Sequence, residues 1–188
     1  MMIRGIGIGL LAGLAMAAQP ACGQRSSEMP RSFATGPVLQ DHGPHAPVEM
    51  DMPLPADMKL AVAFDVAKGE AGALNRTLVS AARFINMHAA NGVEPQNIRA
   101  AVVVHGVAVF DMANDAAYAR KYPDQQSNPN AALIAALSWQ GVDIIICGQS
   151  AAGQGLAKSE LLPGVTMDLS AMTAHARLQQ AGFTLNPF

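Results

Sequence analysis

The chain has 188 residues, a formal net charge of −2 and 14% charged residues. That balance supplies no basic stripe, so a nucleic-acid partner is not expected. Hydrophobic residues make up 51%, and part of that excess sits at the N-terminus.

Met1 to Arg4 is a short positive start, and Gly5 to Ala18 runs without a charge before small residues follow. This is the pattern of a secretory signal peptide, with cleavage after Ala17 or Ala18. The apolar run falls short of the roughly 20 residues of a membrane span. Arg4-Gly5 is not a twin-arginine signal, so export of the unfolded chain to a bacterial periplasm is expected. Cys22 stands where a lipid anchor can be added, but Gln19, three residues earlier, is a poor match for the aliphatic residue of a lipoprotein signal. The expected organisation is a signal peptide over 1–23, a tether over 24–57 and one domain over 58–188.

Seven of the twelve prolines lie between Pro20 and Pro55. Proline removes a backbone donor and pushes its predecessor out of the helical region, so 24–57 reads as a disordered, extended tether. Asp41-His42-Gly43-Pro44-His45, Met50 and Met52 invite a copper reading, because imidazole and thioether suit that metal. No element of the sequence fixes these side chains, so no metal site is assigned.

In the domain, Met58 to Val66 reads as a first strand, with Asp65 at its carboxyl end. Leu74, Leu78, Ala81, Ala82, Ile85 and Ala89 recur at helical spacing, and Gly92 stops that helix. Arg76 and Arg83 share its more exposed side. They read as solvated cations, with anion attraction as the functional alternative. Ile98 to Val104 is a second buried strand, closed by His105 and Gly106. One or two short helices are expected between Val107 and Tyr122. Asn128-Pro129 reads as a capped helix start, followed by Ala132, Leu133, Ala136 and Leu137. Ile144 to Ile146, after Asp143, is a β-branched run of the kind buried on both faces of a parallel sheet. It ends at Cys147, and the small residues after Gly148 allow close backbone approach or a short helix. Val165 to Leu169 is a fourth strand, Ser170 caps a helix over Ala171 to Ala181, and Phe183 to Leu185 adds a fifth strand.

Strand and helix alternate throughout, which implies an α/β fold with a mostly parallel sheet and helices on both faces. Ligands of such sheets bind outside the carboxyl ends of the strands. The polar residues Asp65, His105, Cys147 and Asp168 to Ser170 collect there. A thiol near an imidazole becomes a thiolate more readily, and amide donors after Gly148 add to the effect. A thiolate attacks sulfur or carbonyl groups. Cys147 and His105 are therefore the candidate catalytic residues, and Gly148, Gln149, Ser150, Asp65 and Ser170 the candidate substrate-binding ones. The bland alternatives are a small buried cysteine and a satisfied strand-end histidine. His88 and His175, inside predicted helices, read as surface or packing residues. No Cys-x-x-Cys, Gly-x-Gly-x-x-Gly, phosphate loop or Gly-x-Ser-x-Gly occurs, so no cofactor is expected.

Val102-Val103-Val104-His105-Gly106, the helix between Leu74 and Met87, Val142 to Ser150 with its Cys-Gly-Gln-Ser, and Leu161 to Thr173 together resemble the DsrE/DsrF-like family of small sulfur-handling proteins, in particular its exported members. The resemblance covers about two-thirds of the chain, from Met58 to Leu185. It implies a flavodoxin-like three-layer α/β/α sandwich, assembly as a homo-trimer or homo-hexamer, and a persulfide carried on the cysteine after a buried strand, a place that Cys147 fills. The function expected is a periplasmic sulfur carrier or sulfurtransferase, with sulfur donor and acceptor proteins or small sulfur compounds as partners. A small-ligand-binding or structural oligomeric module and a thiol redox sensor are the alternatives.

Overall fold

The computed structural model describes residues 32–186. The expected signal peptide, Cys22 and the first part of the expected tether lie outside the described residues.

Five strands form one sheet: β1 (Leu60–Val66), β2 (Ile98–Val104), β3 (Asp143–Cys147), β4 (Val165–Asp168) and β5 (Thr184–Asn186). Their order across the sheet is β4-β3-β2-β1-β5, and every pairing is parallel. This is the α/β, flavodoxin-like architecture that the alternation of elements implies. Five α-helices accompany the strands: α1 (Arg76–Ala90), α2 (Asp115–Lys121), α3 (Ala131–Trp139), α4 (Gly148–Gln154) and α5 (Ala171–Gln180).

Side chains of a strand alternate between the two faces of the sheet. One face carries Phe64, Val66, Val102, Val104, Ile144 and Ile146, buried against Leu78, Ala81, Ala82 and Ile85 of α1 and Leu133, Ile134 and Leu137 of α3. The other carries Ala63, Ala101 and Val103, covered by Ala174 and Leu178 of α5 and by Phe183. Small residues on that second face let α5 lie close to the sheet. Extending the same alternation by one step puts Asp65, His105 and Cys147 on the α5 side. The β2–β3 ladder pairs Val104 with Ile146, so His105 and Cys147 stand one level beyond it on neighbouring strands, about 5 Å apart along the backbone.

Two expectations are corrected. The helix announced at Asn128 begins at Ala131 instead. Asn128 is buried, and its Nδ2 donates to the carbonyls of Asp111 (2.8 Å) and Ala113 (2.7 Å) while its Oδ1 accepts from Asn130 N (2.9 Å). Its amide thus closes the 3-10 turn over Gly106–Met112 rather than capping a helix.

The second correction concerns the tether. Its described part does not run free: residues 33 to 46 form an arm packed on α1. Leu39 is buried in the main core, a burial that contributes about 2 kcal/mol. Asn86, on α1, accepts from Leu39 N (2.8 Å) and donates to the carbonyls of Leu39 (3.0 Å) and His42 (2.8 Å). Arg83, expected as a solvated cation, donates through Nε to Pro44 O at 2.7 Å. Gly43 lies so near the helix that a Cβ there would sit inside the backbone of Ala82 and Arg83. Proline-rich composition was the misleading signal. An irregular segment needs no periodicity when a buried side-chain amide supplies its hydrogen-bond partners.

Candidate functional site

The carboxyl end of β3 runs directly into α4, so Cys147 is the N-cap of that helix. Its Sγ accepts from the backbone N–H of Ser150 at 3.4 Å. Burial of the thiol, 5% exposed, pushes its pKa up, but hydrogen bonds from the Ser150 hydroxyl and from the backbone amides of Ser150, Ala171 and Gln149 outweigh this and hold it below the usual thiol value. Each of these donors stabilises the thiolate and has nothing comparable to offer the thiol.

The Ser150 hydroxyl is itself aimed. The backbone N–H of Gly106 donates to Ser150 Oγ at 3.0 Å, leaving the hydroxyl hydrogen for the sulfur. A relay therefore runs from Gly106 N–H through Ser150 O–H to Cys147 Sγ, and such chains strengthen each bond in turn. Gly106 has φ +58°, and a Cβ there would meet Ala67 O at 2.8 Å. A side chain at this position is strained twice over.

Ala171, which supplies the amide from the far side, is the first residue of α5. Ser170 caps that helix by accepting from Thr173 N at 3.1 Å. Ser170 is thus buried helix-capping structure that sets where the Ala171 amide points. Gly148 opens α4, and Gln149 contributes its amide while its side chain is exposed.

Asp65 and His105 meet as the topology dictates, but not around the sulfur. His105 Nε2 donates to Asp65 Oδ2 at 3.0 Å, and His175 Nε2, from α5, donates to Asp65 Oδ1 at 2.8 Å. An ionised carboxylate only accepts, so both imidazoles carry their hydrogen on Nε2. Partial burial pushes the Asp65 carboxyl up, and the hydrogen bonds and charges of the two histidines more than reverse that, leaving it below the ordinary aspartate value. The groups that favour the Cys147 thiolate are therefore a hydroxyl and three amides. The expected imidazole is tied to a carboxylate one strand away.

His175, expected as a surface or packing residue, is the member of this cluster that sequence reasoning missed. The signal was there: Ala171, Ala174, His175 and Leu178 form the stripe that α5 turns toward the sheet, and His175 is the one polar member of it. Beside Cys147, a shallow cavity of about 360 Å³ is lined by Gly148, Gln149, Lys158, Met167, Asp168 and Leu169. Among the described residues no group of three His, Cys, Asp or Glu side chains is placed to hold a metal ion.

A family model described as DsrE/DsrF-like matches residues 58–187. Among solved structures, the chain is similar to a protein of unknown function, MTH1491, from Methanobacterium thermoautotrophicum, with a TM-score of 0.53 and 20% identity over 69% of this chain and 100% of that one. At that identity the likeness speaks for the fold. No curated protein matches.

Proposed function

Because the chain belongs to the DsrE/DsrF-like family, we propose that it is an exported sulfur carrier, or sulfurtransferase, that holds sulfane sulfur as a persulfide on Cys147. The observation that carries this reading is the donor set around one sulfur: the Ser150 hydroxyl and the amides of Ser150, Ala171 and Gln149 lower its pKa. A thiolate is the form that attacks a sulfane sulfur atom.

With thiosulfate as donor, the Cys147 thiolate attacks the outer sulfur. A sulfur–sulfur bond forms to Cys147, the bond to the sulfonate sulfur breaks, and sulfite leaves with its electron pair. Charge balances, since a thiolate and a dianion give a persulfide anion and a dianion. The acceptor's thiolate later takes the outer sulfur by the same displacement and regenerates Cys147. The four donors that favour the thiolate serve the persulfide anion equally. Lys158, in the cavity beside Gly148, offers charge to an anionic donor. His105 and His175, fixed by Asp65, stand at the same edge of the sheet. The periplasmic location rests on the reading of residues 1–23. The homo-trimer or homo-hexamer is supported by the exposed apolar side chains of Leu169 and Met172 near the site.

Intact mass spectrometry before and after incubation with polysulfide or thiosulfate tests the proposal. A one-sulfur increment is expected, removed by reductant and absent in Cys147→Ser. No increment on a chain whose Cys147 still alkylates overturns the carrier role.

A further inference from the structure

Between the arm and α1 lies a second cavity, of about 430 Å³, whose lining includes His45, Met50, Met87 and His88. We infer that this cavity is a binding site for a soft monovalent metal ion of the copper(I) class, with these two imidazoles and two thioethers as donors.

The tautomers carry the argument. His45 Nε2 lies 2.9 Å from Gly36 O. A carbonyl only accepts, so Nε2 holds the hydrogen and, in the neutral ring, Nδ1 holds the lone pair. That Nδ1 is buried and has no hydrogen-bond partner. A buried acceptor left unmet costs about 1–3 kcal/mol, and in a native structure such an atom calls for a ligand or an explanation. His88 is the mirror case: its Nδ1 donates to Phe84 O at 2.7 Å, so its lone pair is on Nε2. Metal-ligating histidines are held this way, one ring nitrogen donating to a backbone carbonyl and the other left for the metal.

The donor set selects the ion. Imidazole and thioether are neutral and soft, and they suit copper(I). The cavity lining contains no carboxylate, and it includes Arg83. A divalent ion would enter uncompensated beside a guanidinium, whereas a monovalent ion carries half that charge. The fold also divides the histidines and methionines of the segment from His42 to Met52. His45 and Met50 reach the cavity and join two residues of α1, while His42 and Met52 are not part of its lining.

The test uses the full chain carrying Cys22→Ser and Cys147→Ser, which leaves no thiol to bind the metal. Copper(I) is titrated without oxygen against the chromogenic chelator bicinchoninate. One equivalent per chain is expected to be taken from the chelator. Met87→Leu, His88→Gln and Met50→Leu should each weaken uptake about 10-fold or more, the scale seen even for second-shell changes, while His42→Ala with Met52→Leu leaves it unchanged. Met50 lies just beyond the arm and is exposed, so that variant separates ligand loss from misfolding. Failure to take copper(I) from the chelator overturns the inference. So does uptake that depends on His42 and Met52 but survives Met50→Leu, Met87→Leu and His88→Gln.

Discussion

Two polar clusters stand at the carboxyl ends of the strands, on opposite faces of the sheet, and they are built on opposite terms. On the α5 side, Asp65 has both oxygens met by histidines, is 37% exposed, and is held below the ordinary aspartate pKa. On the α1 side, Asp111 is buried; one oxygen accepts from Asn75 Nδ2 at 2.7 Å and the other has no partner. Desolvation pushes its carboxyl up to about 6, against the lowering by Asn75. Its neighbours are amides, Asn75, Asn128 and Asn130, all buried. The first cluster keeps its carboxylate charged and partly open to solvent. The second buries its carboxyl, which makes ionisation costly, and ties loops together. Polarity at a strand end is thus no sign of chemistry by itself; the two carboxyls differ in whether their partners favour the charged form or burial opposes it.

Four substitutions sharpen or break that contrast. The largest effect is expected from Asn128→Ala, which strips partners from two buried carbonyls and one buried amide. It should cost about 3 kcal/mol of stability by denaturant titration without disturbing the donors around Cys147. A cost near zero would end the claim that this cluster is structural.

Asp111→Asn comes next and has the opposite sign. The folded carboxyl keeps its proton more tightly than the unfolded one, so the wild type loses stability as pH rises from 3.8 to about 6 and does not regain it above. The variant should therefore be more stable than wild type near neutral pH, by up to about 3 kcal/mol, and the gap should close in acid. Parallel denaturation curves across that range check it.

On the other face, Ser150→Ala removes one donor to the sulfur. The thiol pKa should rise and alkylation by iodoacetamide should slow at neutral pH, with little change in melting temperature. An unchanged rate–pH profile would mean that the relay from Gly106 is decorative. Asp65→Asn should have the smallest effect on stability, because the carboxylate is more than a third exposed. Asp65 is held low in the folded state, so its contribution is present above the unfolded aspartate pKa and lost as pH falls through the folded one. The variant should lose that acid-side dependence. NMR of the imidazole nitrogens should also show both rings released from a single tautomer.

The sheet was legible because its residues are dictated by local composition. Ile144 to Ile146 and Val102 to Val104 are β-branched and uncharged, and Cys147 and His105 end those runs visibly. What sequence could not supply was the pairing of side chains across elements. His105 turns to Asp65 rather than to the sulfur, and a helix more than 60 residues later brings His175 to the other carboxylate oxygen. Asn128 was misread because a capping amide and a loop-closing amide look alike until the carbonyls they serve are placed. The arm was misread for the same reason in larger form: its partner, Asn86, sits in a helix whose own pattern gives no hint that it faces a second segment.

The arm has a practical consequence for where the protein begins. The family match starts at residue 58, and an expression clone trimmed to that boundary would look complete by homology. It would lack Leu39 and the backbone that satisfies Asn86, and would uncover Ala82 beneath Gly43. The family match thus starts inside the folded unit, and a fragment that keeps the arm has to include residue 33.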